Sequence, residues 1–174
     1  MAENFLIKLL DWAWDLAERY ILFWQIVRDY ESGVVLFLGK YHYTLNKGLN
    51  FKIPLLHESI TCFIKPETIE TKPFTVTTKD NQTVTMTLIG KYSVKDAKKW
   101  LLEANDSGSN IMHHLLATAS DYITGYELEK LKKETAYTPI KKQLNKQVEY
   151  LGAEFEDVSY GSICKTRPFS LINH

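Results

Sequence analysis

This 174-residue chain has little cysteine and no excess of either charge. Its two cysteines, Cys62 and Cys164, lie far apart and outside any CxxC spacing. They cannot form a zinc site alone, and they read as ordinary thiols of a reducing compartment. The eight glycines and five prolines are scattered, which excludes a Gly-rich phosphate loop and a low-complexity linker. Twenty-one Lys and Arg balance 21 Asp and Glu, whereas a general nucleic-acid binder carries a basic excess to neutralise phosphates. A bilayer span needs roughly 20 mainly apolar residues, and the most apolar stretch carries five charges between Lys8 and Arg19. The basic start and unbroken apolar centre of a cleavable signal peptide are missing too.

What is present argues for a folded protein. A 45% hydrophobic and 13% aromatic composition can offset chain entropy, and the length suits one domain with room for an appendage. Three of the four tryptophans, Trp12, Trp14 and Trp24, crowd into the first 24 residues. The segment from Asn4 to Val27 predicts a helix. At about 100° per residue, Phe5, Leu6, Leu9, Leu10, Ala13, Leu16, Ala17, Tyr20 and Trp24 share one broad face. Trp12 and Trp14 sit at its edges, and Lys8, Asp11, Asp15, Glu18 and Arg19 collect opposite. After Tyr20 the segment is apolar all round, which suits burial or a change to strand.

Such a stripe lies along something. It suits a bilayer interface, with Trp and Tyr at headgroup level, a neighbouring subunit or partner protein, or its own domain. Phe5, Leu6, Leu9, Leu10, Trp12, Trp14, Leu16, Tyr20 and Trp24 are therefore the candidate membrane- or partner-binding residues.

From Gln25 the period becomes two. Gln25 to Arg28 and Val34 to Leu38 read as strands around a turn at Glu31-Ser32-Gly33. Gly39, Asn46 and Gly48 punctuate the next loops, and Pro54 closes a short extended piece. Pro66 divides the β-branched run from Ser59 to Ile69 or marks an edge strand. Phe74 to Tyr92 is a hairpin turning at Lys79-Asp80-Asn81, with Val84, Met86, Leu88, Gly90 and Tyr92 inward and a threonine-lined face in water. Helices follow over Val94 to Ala104, Ser109 to Thr124 (capped by Gly125) and Tyr126 to Lys133. Another starts at Thr138, with Pro139 in its first turn and an Ile140, Leu144, Val148 and Leu151 stripe ended by Gly152. Ala153 to Ile163 returns to strand, with Phe155, Val158 and Tyr160 as packing candidates. Strands, then helices, then a last strand predict an α+β fold with a mixed, mainly antiparallel sheet. The expected organisation is a helix over 1–24, the α+β domain over 25–163 and a tail over 164–174.

A family resemblance covers roughly Ile26 to Tyr160. Val34-Val35-Leu36-Phe37-Leu38-Gly39-Lys40 followed by Gly48-Leu49-Asn50-Phe51-Lys52-Ile53-Pro54 resembles the start of an SPFH domain, the band 7 module of stomatin, prohibitin and flotillin. Thr78-Lys79-Asp80-Asn81-Gln82-Thr83-Val84 with Gly90-Lys91-Tyr92-Ser93-Val94 is similar to its signature hairpin. Leu151-Gly152-Ala153 to Asp157-Val158-Ser159 is similar to its closing helix, glycine and strand. The resemblance implies a non-catalytic scaffold without cofactors, intracellular and peripheral on a membrane, whose partners are further copies of itself in a ring-like oligomer. The chain departs from the pattern in ending ten residues after Cys164, without the family's long charged C-terminal helix. That departure keeps open a structural ring or adaptor subunit of a larger assembly or virion, its first helix buried against protein.

Catalytic constellations are sparse. His113-His114 with Asp121 lacks the i,i+4 histidine pair of a helical metal site, and His57-Glu58 lacks the second histidine of a zincin. A hydrolase using Cys62 or a His113/His114 site is the weakest reading. Lys130, Lys132, Lys133, Lys141, Lys142 and Lys146 alternate with Glu127, Glu129, Glu134 and Glu149, which reads as a solvated face, with contact to lipid headgroups as the lesser alternative. No enzyme, metal or nucleic-acid partner is expected.

Overall fold

The computed structural model describes residues 7–12, 14–15, 24–131 and 137–165. These residues fall into two compact units that meet in sequence between Ile64 and Lys65. The fold is α+β, with short and long helices beside antiparallel sheets. Residues 7–12 and 14–15 are helical, and α1 denotes these residues alone.

The first unit carries two small sheets. In one, β1 (Trp24–Val27) pairs antiparallel with β4 (Gly48–Phe51), placing Trp24 opposite Phe51 and Ile26 opposite Leu49. In the other, β2 (Glu31–Phe37) lies between β3 (Lys40–Leu45) and β5 (His57–Phe63). Two local expectations change here. The turn falls at Asp29-Tyr30, closed by Glu31 N–H donating to Arg28 O at 3.0 Å, and Glu31-Ser32-Gly33 belong to β2. A Cβ on Gly33 would stand 2.3 Å from Ile60 O, so this glycine serves strand approach rather than a bend. Trp24 leaves the helical stripe for β1, where its ring meets Phe51 edge-on at 5.6 Å. Val27, Val35 and Leu45, with Tyr43 against them, make a small core.

The second unit is built on β8 (Thr83–Val94). Along one edge it pairs with β6 (Glu67–Glu70) and β7 (Phe74–Thr77), and along the other with β9 (Ala153–Lys165). Pro66 thus separates two strands, β5 and β6. The hairpin's expected inward set is buried: Val84, Met86, Leu88, Gly90 and Tyr92. Its outer face is drier than a threonine-lined surface should be, because Thr87 is buried and bonded to Ser162 Oγ at 3.1 Å. At the turn, Lys79 N–H donates to Tyr126 O and Leu128 N–H to Asp80 Oδ1. The Thr78 hydroxyl, donating to the Asp80 carboxylate, helps hold that carboxyl below its ordinary range.

Helices cover the inner face. They are α2 (Ala97–Leu102), α3 (Ser107–Thr124), α4 (Leu128–Leu131) and α5 (Tyr137–Val148), followed by a 3-10 turn over Glu149–Leu151. Asp96 caps α2 through the Lys98 and Lys99 amides, and Asp106 caps α3 through Ser109 N–H, each oxygen satisfying an orphan donor of the first turn. Ile140, Leu144, Val148 and Leu151 are fully buried with Ile111, Leu115, Ile123 and Phe155. Gly152 ends the stripe at φ 70°, a left-handed conformation that glycine takes without steric cost. The β9 register shifts opposite Lys91/Tyr92 and again opposite Thr87/Leu88. The first bulge brings Phe155 and Val158, three residues apart, onto one buried face. Tyr160 departs from expectation: 40% exposed, it leans on Tyr137 at 5.6 Å instead of entering the core.

Candidate functional site

Of the stripe expected to bind a membrane or partner, Leu9, Leu10, Trp12 and Trp14 lie in α1 and are exposed, as is Ile7 beside them. Phe5, Leu6, Leu16 and Tyr20 lie outside the described residues. Trp24 is exposed too, but from a strand. No helix among the described residues is long and apolar enough to cross a membrane.

The first unit continues this exposed apolar character at two of its turns. Leu38 in the β2–β3 turn is 68% exposed, and Leu55 in the β4–β5 turn is 95% exposed. Both are left-handed, at φ 49° and 72°. A bulky L-residue pays about 1–2 kcal/mol for that conformation, and two such residues stand at adjoining turns. Leu38 N–H donates to Leu56 O at 3.0 Å, and Phe37 pairs with His57 at the end of the β2–β5 ladder. Trp24, Ile26, Pro54 and Leu55 line one groove of about 600 Å³. On the β1–β4 ribbon, Trp24 faces Phe51 and Ile26 faces Leu49, all four exposed. The one hint in sequence is local: Leu38 before Gly39 and Leu55-Leu56 after Pro54 put leucines where turns usually take polar residues.

Beside these turns, Phe37, His42, Tyr43, Leu49, Phe51 and His57 line a second groove of about 610 Å³. The His42 and His57 rings stack with centroids 5.6 Å apart, and Phe37 meets His57 edge-on at 5.5 Å. Tyr43 O–H donates to Phe51 O, tying β3 to β4. Sequence spacing never linked His42 with His57, because β2 and its ladders bring them together.

The catalytic candidates take structural places. His114 Nε2 lies 3.1 Å from Tyr150 O–H, Asp121 is exposed, and His113 points to solvent from α3. Cys62 sits in β5 opposite Ser32, where burial pushes its thiol up to about 11; a thiol so rarely ionised is a poor nucleophile. Lys130 pairs with Glu127 at 3.2 Å, and Lys141 donates to Glu156 O. Among the described residues no three His, Cys, Asp or Glu side chains gather around a common point.

The sequence pattern of the SPFH domain / Band 7 family matches residues 25–164. An uncharacterised protein of Methanocaldococcus jannaschii is 27% identical over 140 residues, covering 79% of this chain and 70% of that protein. An uncharacterised protein of Archaeoglobus fulgidus is 34% identical over 82 residues, 47% of this chain and 33% of its own length. One of Methanothermobacter thermautotrophicus is 36% identical over 72 residues, 41% and 23% respectively. The chain thus spans a third or less of the latter two relatives.

Proposed function

Because this chain belongs to the SPFH domain / Band 7 family, we propose that it is a non-catalytic scaffold subunit of the stomatin–prohibitin type, self-associating on a membrane face. Attachment is through the apolar residues of α1 and the leucine turns of the first unit. The carrying observation is the pair Leu38 and Leu55, which combine left-handed backbone with exposure to water. Burial in protein does not compensate either residue, and transfer of each side chain to an acyl interior would favour binding by about 1.5–3 kcal/mol. Trp12, Trp14 and Trp24 suit the headgroup level of a bilayer interface. Chemistry is not required of such a subunit, and the surroundings of Cys62 and His114 are those of structural residues.

The test is flotation of the full chain with vesicles of phosphatidylcholine and phosphatidylserine. Wild type should float, and Leu9→Glu with Leu55→Asp should stay at the bottom while keeping wild-type circular dichroism. Wild-type protein that never floats would sink this reading. A second reading, an adaptor subunit docked through α1 onto protein, draws on the near balance of acids and bases along the helix's polar face, which weakens attraction to anionic lipid. It predicts a defined assembly in vesicle-free buffer by light scattering, lost on deleting the first 24 residues.

A further inference from the structure

His57 opens β5 directly after the turn that presents Leu55 and Leu56. Two hydrogen bonds close that turn. His57 N–H donates to Ile53 O at 3.0 Å, and Ile53 N–H donates to His57 Nδ1 at 3.0 Å. The second requires a bare Nδ1, which assigns the hydrogen of the neutral ring to Nε2. An imidazolium carries hydrogens on both nitrogens and accepts on neither. Proton uptake at His57 therefore sets two N–H groups against each other and removes one of the two clasps.

Among the described residues, the groups around His57 leave a new positive charge uncompensated. From β3 come His42, stacked at 5.6 Å, and Tyr43, edge-on at 6.3 Å. From β2 comes the uncharged Phe37. From the segment before the turn comes Lys52, which lines a groove with His57 and donates to Ser59 Oγ at 3.3 Å. Glu58, next on β5, alternates to the other face of the sheet and pairs with Leu36. Among the described residues, no carboxylate lines either groove that His57 borders.

We propose that His57 is a proton-operated latch on the Leu55–Leu56 turn, closed when the ring is neutral and released when it is protonated. Release lets Leu55 leave its left-handed conformation and places positive charge beside the exposed leucines. The inference rests on the membrane reading above and adds a regulator to it: acid that protonates the ring favours binding to anionic over neutral lipid.

Amide exchange followed by NMR on the full chain tests the latch without any lipid. Between about pH 7.5 and 5.5, the protection factor of the Ile53 amide, corrected for its intrinsic rate, should fall about tenfold or more. His57→Asn places a non-titrating acceptor near the Nδ1 position and should hold that protection constant, whereas His42→Asn should retain the wild-type response. An Ile53 amide that keeps its protection while the His57 ring proton signal titrates overturns the latch, and wild type alone decides this if the variants fold poorly. Flotation at the two pH values then separates the two ideas. Binding to phosphatidylserine vesicles that rises in acid for wild type and not for His57→Asn supports regulation, and pH-independent binding overturns it. No flotation at either pH removes the membrane reading and leaves the latch to the Ile53 amide.

Discussion

Asn145 of α5 satisfies both backbone polar groups of Phe155 in β9. Phe155 N–H donates to Asn145 Oδ1 at 2.8 Å, and Asn145 Nδ2 donates to Phe155 O at 3.2 Å. The side-chain amide thus does what a neighbouring strand would do, at a residue whose side chain is fully buried. Lys141, one helical turn earlier, donates to the next carbonyl, Glu156 O. Together they close this stretch of the sheet's outer edge against pairing with another chain. Asn145→Ala would leave the Phe155 amide and carbonyl without these partners, at a cost of about 1–3 kcal/mol. Urea denaturation should show that loss with an unchanged slope.

The leucine turns should trade stability against attachment. Leu38→Gly and Leu55→Gly remove the left-handed penalty while giving up little packing, since both side chains are exposed. Each is expected to leave stability unchanged or raise it by up to about 1 kcal/mol. Vesicle affinity should fall in the same proteins. A Gly variant that unfolds more readily would show that the leucine packs within the protein.

Stability should fall in alkali. Burial pushes the Tyr92 hydroxyl up to about 12, with Glu67 accepting its hydrogen bond at 3.0 Å, and burial with Tyr160 nearby pushes Tyr137 up to about 12. Unfolded tyrosine ionises near 10.0, so above that pH the unfolded chain releases protons that the folded one retains. The stabilisation is complete below pH 10 and is lost as pH rises toward 12. Thermal midpoints measured from pH 8 to 11.5 should drop steeply above 10, and Tyr92→Phe should make that drop shallower.

The two thiols should differ in reactivity. Cys164 is exposed near the end of β9, whereas Cys62 is partly buried in β5 with its thiol raised to about 11. At neutral pH, iodoacetamide labelling of the native chain followed by peptide mass mapping should modify Cys164 at least about tenfold faster. Denaturant should abolish the difference.

Legibility in the sequence followed periodicity. The β7–β8 hairpin alternates strictly over a long run, and its inward residues are the buried ones. The α5 stripe repeats at helical spacing and ends at a left-handed Gly152. Gly33 misled because glycine marks a turn and a close strand approach with the same letter. Tyr160 misled because two bulges reset the alternation of β9, and a bulge leaves no reliable trace in a single sequence.

The sequence by itself determined the α+β class, the family, the core of the second unit and the helical residues at the amino terminus. Each depends on local spacing or on a motif read in order. Tertiary structure alone decided that Trp24 faces Phe51, that Leu38 and Leu55 stand at adjoining turns, and that His42 stacks on His57. Those relationships arise from strand pairing between distant segments, and pairing is chosen by the burial of Val27, Val35 and Leu45 rather than by the residues it brings together at the surface.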